Sequence, residues 1–187
     1  MKKSVLFLCT LLMAQWAVGQ ILVETESFAD KGGWVTDHQA FEQIQSSYLM
    51  AHGLGRPVKD AVTSVSFAEG GRYHLYVSTY NWTAPWYDGK GPGAFQVLVD
   101  GRPLAAELGV TGNRWEWQYA GEVTVGKGTV QVALHDLTGF NGRADALYFT
   151  KVNEAPTTDY QAFAPERLRL LGYDKPTRVS GADLVVV

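Results

Sequence analysis

Gly71-Arg72-Tyr73-His74-Leu75-Tyr76-Val77-Ser78-Thr79-Tyr80-Asn81 is the clearest period-two segment of the chain. Tyr73, Leu75, Val77 and Thr79 point one way and His74, Tyr76, Ser78 and Tyr80 the other, the pattern of a β-strand between two environments. Shorter segments of the same kind lie on both sides. Ile21 to Glu26 opens the series. Phe95 to Val99 precedes Asp100-Gly101, a strong short hairpin signal. Trp115-Glu116-Trp117-Gln118-Tyr119 sets three aromatics on one face. Val123-Thr124-Val125 and Thr129 to Leu134 flank the turn Gly126-Lys127-Gly128, and Ala144 to Thr150 closes the set. Recurrent short strands with glycine turns and no ten-residue helical pattern predict an all-β sandwich or barrel. The roughly 130 residues involved are enough to bury a two-sheet core.

The whole chain has 187 residues, room for one ordinary domain and an appendage. A formal net charge of −3 gives no general basic field for nucleic acid. The single cysteine, Cys9, excludes an intrachain disulfide framework. Met1-Lys2-Lys3, the apolar run Ser4 to Val18 and the small residues Ala17-Val18-Gly19 read as a signal peptide over residues 1–19. Secretion or periplasmic export is therefore expected, with no membrane span after cleavage. A lipoprotein anchor competes for Cys9, which sits inside the apolar run rather than after it.

Composition changes after Lys151. Residues 20–152 form the expected sandwich module, and Asn153 to Asp159 reads as a polar linker. Pro165 to Gly172 predicts a short helix with proline near its start and glycine past its end. Asp183-Leu184-Val185-Val186-Val187 is a lone terminal strand, apolar throughout as in a parallel sheet. It reads as the start of a truncated further domain over residues 153–187, the alternative being an extra edge strand of the sandwich.

Two groups of residues suggest chemistry. Tyr80-Asn81-Trp82-Thr83-Ala84-Pro85-Trp86-Tyr87-Asp88-Gly89 packs four aromatics into one interstrand loop. Aromatic faces stack on the C–H faces of sugars while neighbouring polar groups orient hydroxyls. The candidate carbohydrate-binding set is Trp34, Trp82, Trp86, Tyr87, Asp88, Trp115 and Trp117, the alternative being that these rings plug the sandwich or pack on a neighbouring domain. Asp145 shares strand parity with Leu147 and Phe149 and is expected to look inward, where a carboxylate needs a cation or donors. Arg143 is one possible partner. Glu24 and Glu26 lie two apart on one strand face, and could equally be solvated.

Taken in order, Val23 to Phe28, Tyr48-Leu49, Gly71 to Val77, Val97 to Gly101, Trp115-Glu116-Trp117 and Arg143 to Leu147 resemble carbohydrate-binding jelly-roll modules of families six and thirty-five. That resemblance implies a galactose-binding-like jelly-roll sandwich. It also implies a structural calcium site, which carries over onto Glu24, Glu26 and Asp145. Lys31 to Trp34, Met50 to Gly55, Val58 to Ala61, Ala84-Pro85-Trp86 and Leu134 to Phe140 look like a narrower group, the N-terminal module of secreted FAD-dependent oxidoreductases. Related golvesin-like modules occur on chains described as xanthan lyases. In those oxidoreductases a linker, a helix and the first strand of an FAD domain follow, and Asp183 to Val187 is similar to that strand. The glycine-rich turn that holds the pyrophosphate is not in the sequence, so FAD is expected only in a longer parent.

No nucleophile elbow appears, and His38, His52, His74 and His135 show no metal-helix spacing. The expectation is a non-catalytic module that binds a polysaccharide or docks on a downstream oxidoreductase domain. A polysaccharide lyase and a purely structural shielding domain are the alternatives.

Overall fold

The computed structural model describes residues 19–173. The expected signal peptide and the terminal strand Asp183 to Val187 lie outside them. Ten strands form two antiparallel sheets. The larger sheet runs β2 (Val35–Asp37), β3 (Tyr48–His52), β10 (Phe140–Thr150), β5 (Gly71–Thr79) and β8 (Glu116–Val125), with β1 (Ile21–Glu24) also paired to β10. The smaller sheet runs β4 (Ala61–Phe67), β9 (Gly128–Asp136), β6 (Phe95–Val99) and β7 (Arg102–Pro103). The all-β sandwich expected from the sequence is thus present.

Between the sheets, Tyr73, Leu75 and Val77 meet Phe67, Phe95, Leu134, Leu147 and Phe149. Phe67 packs edge-on against both Tyr73 and Phe149, at 5.0 and 5.3 Å between ring centres. Burial of such side chains is each worth about 1.5–3 kcal/mol. The Asp100-Gly101 hairpin forms as expected between β6 and β7, with positive φ at both residues. The Gly53 segment is tight backbone, as its glycines suggest. Gly53 N–H donates to Gly139 C=O at 3.0 Å, and a Cβ on Gly53 would lie 1.9 Å from Arg56 O.

The other face of the larger sheet is also covered. A second apolar cluster there joins Ile44, Tyr48, Tyr76, Trp115, Trp117 and Tyr148 to Tyr160 and Phe163. The last two belong to helix α2 (Tyr160–Leu170), while Ile44 ends the four-residue helix α1 (Phe41–Ile44). The architecture is therefore a two-sheet sandwich with a helical third layer on one outer face. This is why β5 is buried on both faces from Leu75 to Thr79.

Two expectations are corrected. Helix α2 starts at Tyr160 rather than Pro165, because Asp159 caps it by accepting the Ala162 N–H at 3.0 Å. Pro165 then falls inside the helix. Tyr160, Phe163 and Arg167, spaced i, i+3 and i+7, form its buried face. Gly172 follows the helix in a left-handed conformation, as anticipated. The second correction concerns Asp145. The pairing of β10 with β5 slips between Ala144 and Ala146, and this bulge reverses the strand parity. Ala144 and Leu147 face the sandwich interior, whereas Ala146 and Tyr148 face the helical layer. Asp145 is wholly buried but looks toward helix α2, away from Leu147 and Phe149.

Candidate functional site

The loop after β5 carries the aromatic run, and one hydrogen bond fixes its base. Trp82 Nε1–H donates to Phe140 C=O at 2.9 Å, tying the loop to the start of β10. Asn81 shapes the turn from inside: its Oδ1 accepts from the Thr83 backbone at 3.3 Å and the Thr83 hydroxyl at 2.8 Å. Asn81 is buried, so the Asn81-Trp82-Thr83 acceptor motif is not presented to solvent in the folded chain.

Above this base lies a cleft of about 190 Å³ lined by Gln39, Ala40, Gln43, Tyr48, Tyr80, Trp82, Trp86, Trp115 and Arg143. The floor is a relay of rings: Tyr80 stacks on Trp115 at 5.7 Å, and Trp115 meets Tyr48 edge-on at 5.0 Å. The Arg143 guanidinium lies 5.9 Å from the Tyr80 ring centre and 5.6 Å from that of Trp82, within cation–π range. Its buried Nε has no hydrogen-bond partner. Gln39 and Gln43 bring amides to the rim. Trp86 is 79% exposed, so its ring is free to meet a ligand. Burial pushes the Tyr48 phenol up to about 12, with Arg143 opposing the shift, so it stays a hydrogen-bond donor near neutral pH.

The structure sorts the expected sugar-binding residues. Trp82, Trp86 and Trp115 come together in this cleft. Tyr87 and Asp88 turn to a neighbouring hollow with Asn81, Ala84, Gly89, Gly112 and Asn113. Trp34 is 3% exposed and packs edge-on against Phe95 between the sheets, where no ligand reaches it. Trp117 is 8% exposed, stacks on Tyr160 and meets Phe163 edge-on, both of helix α2. The rings of Trp34 and Trp117 therefore serve packing, the alternative that the sequence leaves open for this set. Tyr80, Gln39, Gln43 and Arg143 complete the cleft and were not in the expected set. Tyr80 was legible as part of the aromatic run, but the glutamines carry no sequence signal.

The cleft lining holds no carboxylate, histidine, cysteine or serine. It therefore offers neither a carboxylate pair nor a conventional nucleophile. A phenol held near 12 is also poorly matched to general-base work near neutral pH. What the cleft can do is stack a ring and donate hydrogen bonds.

Glu24, Glu26 and Asp145 do meet in space, on the helical side of the sheet. Arg167 of α2 stands among them. Its Nε donates to Glu24 Oε1 at 2.6 Å, its Nη2 to Asp145 Oδ1 at 2.8 Å and to Ser46 Oγ at 2.8 Å, and its Nη1 to Ile44 C=O at 2.9 Å. A further contact joins Nη2 to Glu24 Oε2. The partner of Asp145 is thus Arg167 rather than Arg143, Glu24 is paired with the same guanidinium, and Glu26 is half-buried beside them. Burial raises Glu24, with Arg167 pulling it back. Burial, aided by the Glu24 charge, pushes Glu26 up to about 7. Among the described residues no group of three acidic, histidine or cysteine side chains is placed to hold a metal ion. The donor set does not fit calcium, because two of the three carboxylates spend their charge on the guanidinium.

No family model matches the chain, and no curated protein matches it. Solved structures do. A family 35 carbohydrate-binding module from Clostridium thermocellum aligns with TM-score 0.54 and 16% identity, over 69% of this chain and 97% of that one. The C-terminal family 6 module of a marine laminarinase from Zobellia galactanivorans aligns with TM-score 0.51 and 16% identity, over 71% and 99%. A β-(1,4)-mannanase of Podospora anserina that includes a family 35 module aligns with TM-score 0.57 and 16% identity, over 74% of this chain and 29% of that longer chain. The fold is accordingly the jelly-roll sandwich of these modules. No helix among the described residues is long and apolar enough to cross a membrane.

Proposed function

We propose that this chain is a non-catalytic carbohydrate-binding module whose ligand seat is the Tyr80–Trp82–Trp86–Arg143 cleft. The observation that carries the reading is Trp86, a large ring left exposed over a cleft already floored by stacked aromatics. Exposed tryptophan beside amide and guanidinium donors is the combination a sugar ring needs, an apolar face below and hydroxyl partners at the rim. The cleft is smaller than the roughly 300–1,000 Å³ of most ligand pockets, which suits about one sugar unit of a chain that continues into solvent. The modules with the same fold support this reading.

The resemblance to secreted FAD-dependent oxidoreductases belongs to the same proposal at a finer level. There the module would tether a flavoprotein to a glycan, and FAD would bind only the longer parent. Export to the periplasm or outside the cell is likewise part of the proposal.

Affinity electrophoresis against mannan, laminarin, xylan and pectin tests the central reading. Retardation by one polysaccharide, lost in Trp86→Ala at unchanged melting temperature, is the expected result. Free mobility on every gel would count against it. Release of unsaturated, ultraviolet-absorbing products would favour a lyase instead.

A further inference from the structure

The carboxylate cluster on the helical side of the larger sheet has a resident cation, and it comes from the chain itself. We infer that Arg167 takes the position a structural metal ion would otherwise fill, and that its guanidinium and a divalent cation exclude one another at Glu24, Glu26 and Asp145.

The geometry is that of a built site. Arg167 is buried, with its donors spent on Glu24, Asp145, Ser46 and the Ile44 carbonyl. Ser46 Oγ also donates to Asp145 Oδ1 at 2.5 Å, closing the ring of contacts. A fork of this kind joins four separate places in the chain: β1, the end of α1, β10 and α2. Those contacts span up to 143 positions in sequence, so the helix is latched to the sheet and not merely leaning on it.

Charge shows why the site is a cation site at all. Two buried carboxylate oxygens, Glu26 Oε2 and Asp145 Oδ2, have no hydrogen-bond partner. Asp145 is wholly buried, so its second oxygen finds no solvent either. One guanidinium faces three carboxyl groups, and the cluster is short of positive charge even with the helix in place. Withdrawing Arg167 would leave the carboxyl groups with no cation between them. Burial does not tolerate that state, so protonation, unfolding or capture of a metal must follow. Of the three, only capture of a hard, oxygen-seeking divalent cation restores the missing positive charge.

The inference does not depend on the cleft binding sugar, and its readouts separate it from that proposal. Calcium is titrated into the full chain and into Arg167→Gln, with melting temperature, calorimetric heat and terbium luminescence as readouts. The wild-type chain is expected to show no calcium-dependent shift and no saturable heat. Arg167→Gln is expected to melt about 10 °C lower without metal, as befits loss of one partner from a buried ion pair. It should regain part of that loss on adding millimolar calcium and give a terbium signal that Asp145→Asn in the same background abolishes.

Calcium stabilising the wild-type chain would overturn the exclusion, because metal and guanidinium would then share the cluster. Arg167→Gln remaining unfolded in calcium, or folding without binding it, would overturn the exchange, because the cluster would accept only the guanidinium. Melting temperature, heat and terbium luminescence read the cluster alone, so a chain that no polysaccharide retards would still report on the exchange at Arg167.

Discussion

Trp86 and Trp117 belong to the same residue type and have opposite roles. Trp86 touches little in the folded chain, so Trp86→Ala should leave the melting temperature within about a degree while lowering sugar affinity about 30-fold, the usual cost of truncating an aromatic anchor. Trp117→Ala strips the ring from under Tyr160 and Phe163 and should cost about 3–5 kcal/mol in a denaturant melt. Glu26 supplies a pH dependence. Its folded value is raised from 4.5 to about 7, by burial first and by Glu24 second. The folded chain therefore holds a proton that the unfolded chain has lost between those values. Stability from this group is complete below about pH 4.5 and is lost as the pH rises through about 7. Glu26→Gln should raise the melting temperature in mildly alkaline buffer and flatten the profile across that window. A profile unchanged by the substitution would contradict the burial that causes the shift.

Helix α2 is the element whose importance the sequence conceals most. Its residues Tyr160, Phe163 and Arg167 mix two aromatics with a cation, so their common face does not look apolar. Only a partner carboxylate 22 to 143 positions away makes the arginine a buried residue. The N-cap was legible in principle, since Asp159 precedes the helix directly, but Pro165 marked the wrong start. Asp159→Ala should lower stability by about 1 kcal/mol, measured by chemical denaturation. By contrast, the strands read cleanly, because β5, β6 and β9 alternate between an apolar interior and another environment. The Asp145 parity error has a local cause: a one-residue slip inside β10 leaves no compositional trace and inverts every side chain after it.

At the scale of the molecule, the two outer faces of the sandwich are unequal. The outer face of the larger sheet carries both helix α2 and the aromatic cleft, and Trp115, which lines the cleft, belongs to the same apolar cluster as Trp117 and Tyr148 beneath the helix. The all-β sandwich and the aromatic loop were legible because both depend on short-range pattern, whereas the jelly-roll class rested on the resemblance to carbohydrate-binding modules. Short-range pattern could not separate core rings from cleft rings, because exposure of a tryptophan is set by which element lies over it. Nor could it bring Arg143 to the cleft, as that placement follows from β10 running beside the loop. The five tryptophans of the described chain now make a direct test possible. Indole N–H resonances are followed by nitrogen–proton correlation spectra while a soluble oligosaccharide of the retarding polysaccharide is added. The account predicts that Trp82 and Trp86 shift strongly and saturably, while Trp34 and Trp117 stay in place. Shifts confined to Trp117, or none at any of the five during demonstrable binding, would contradict a ligand seat in this cleft.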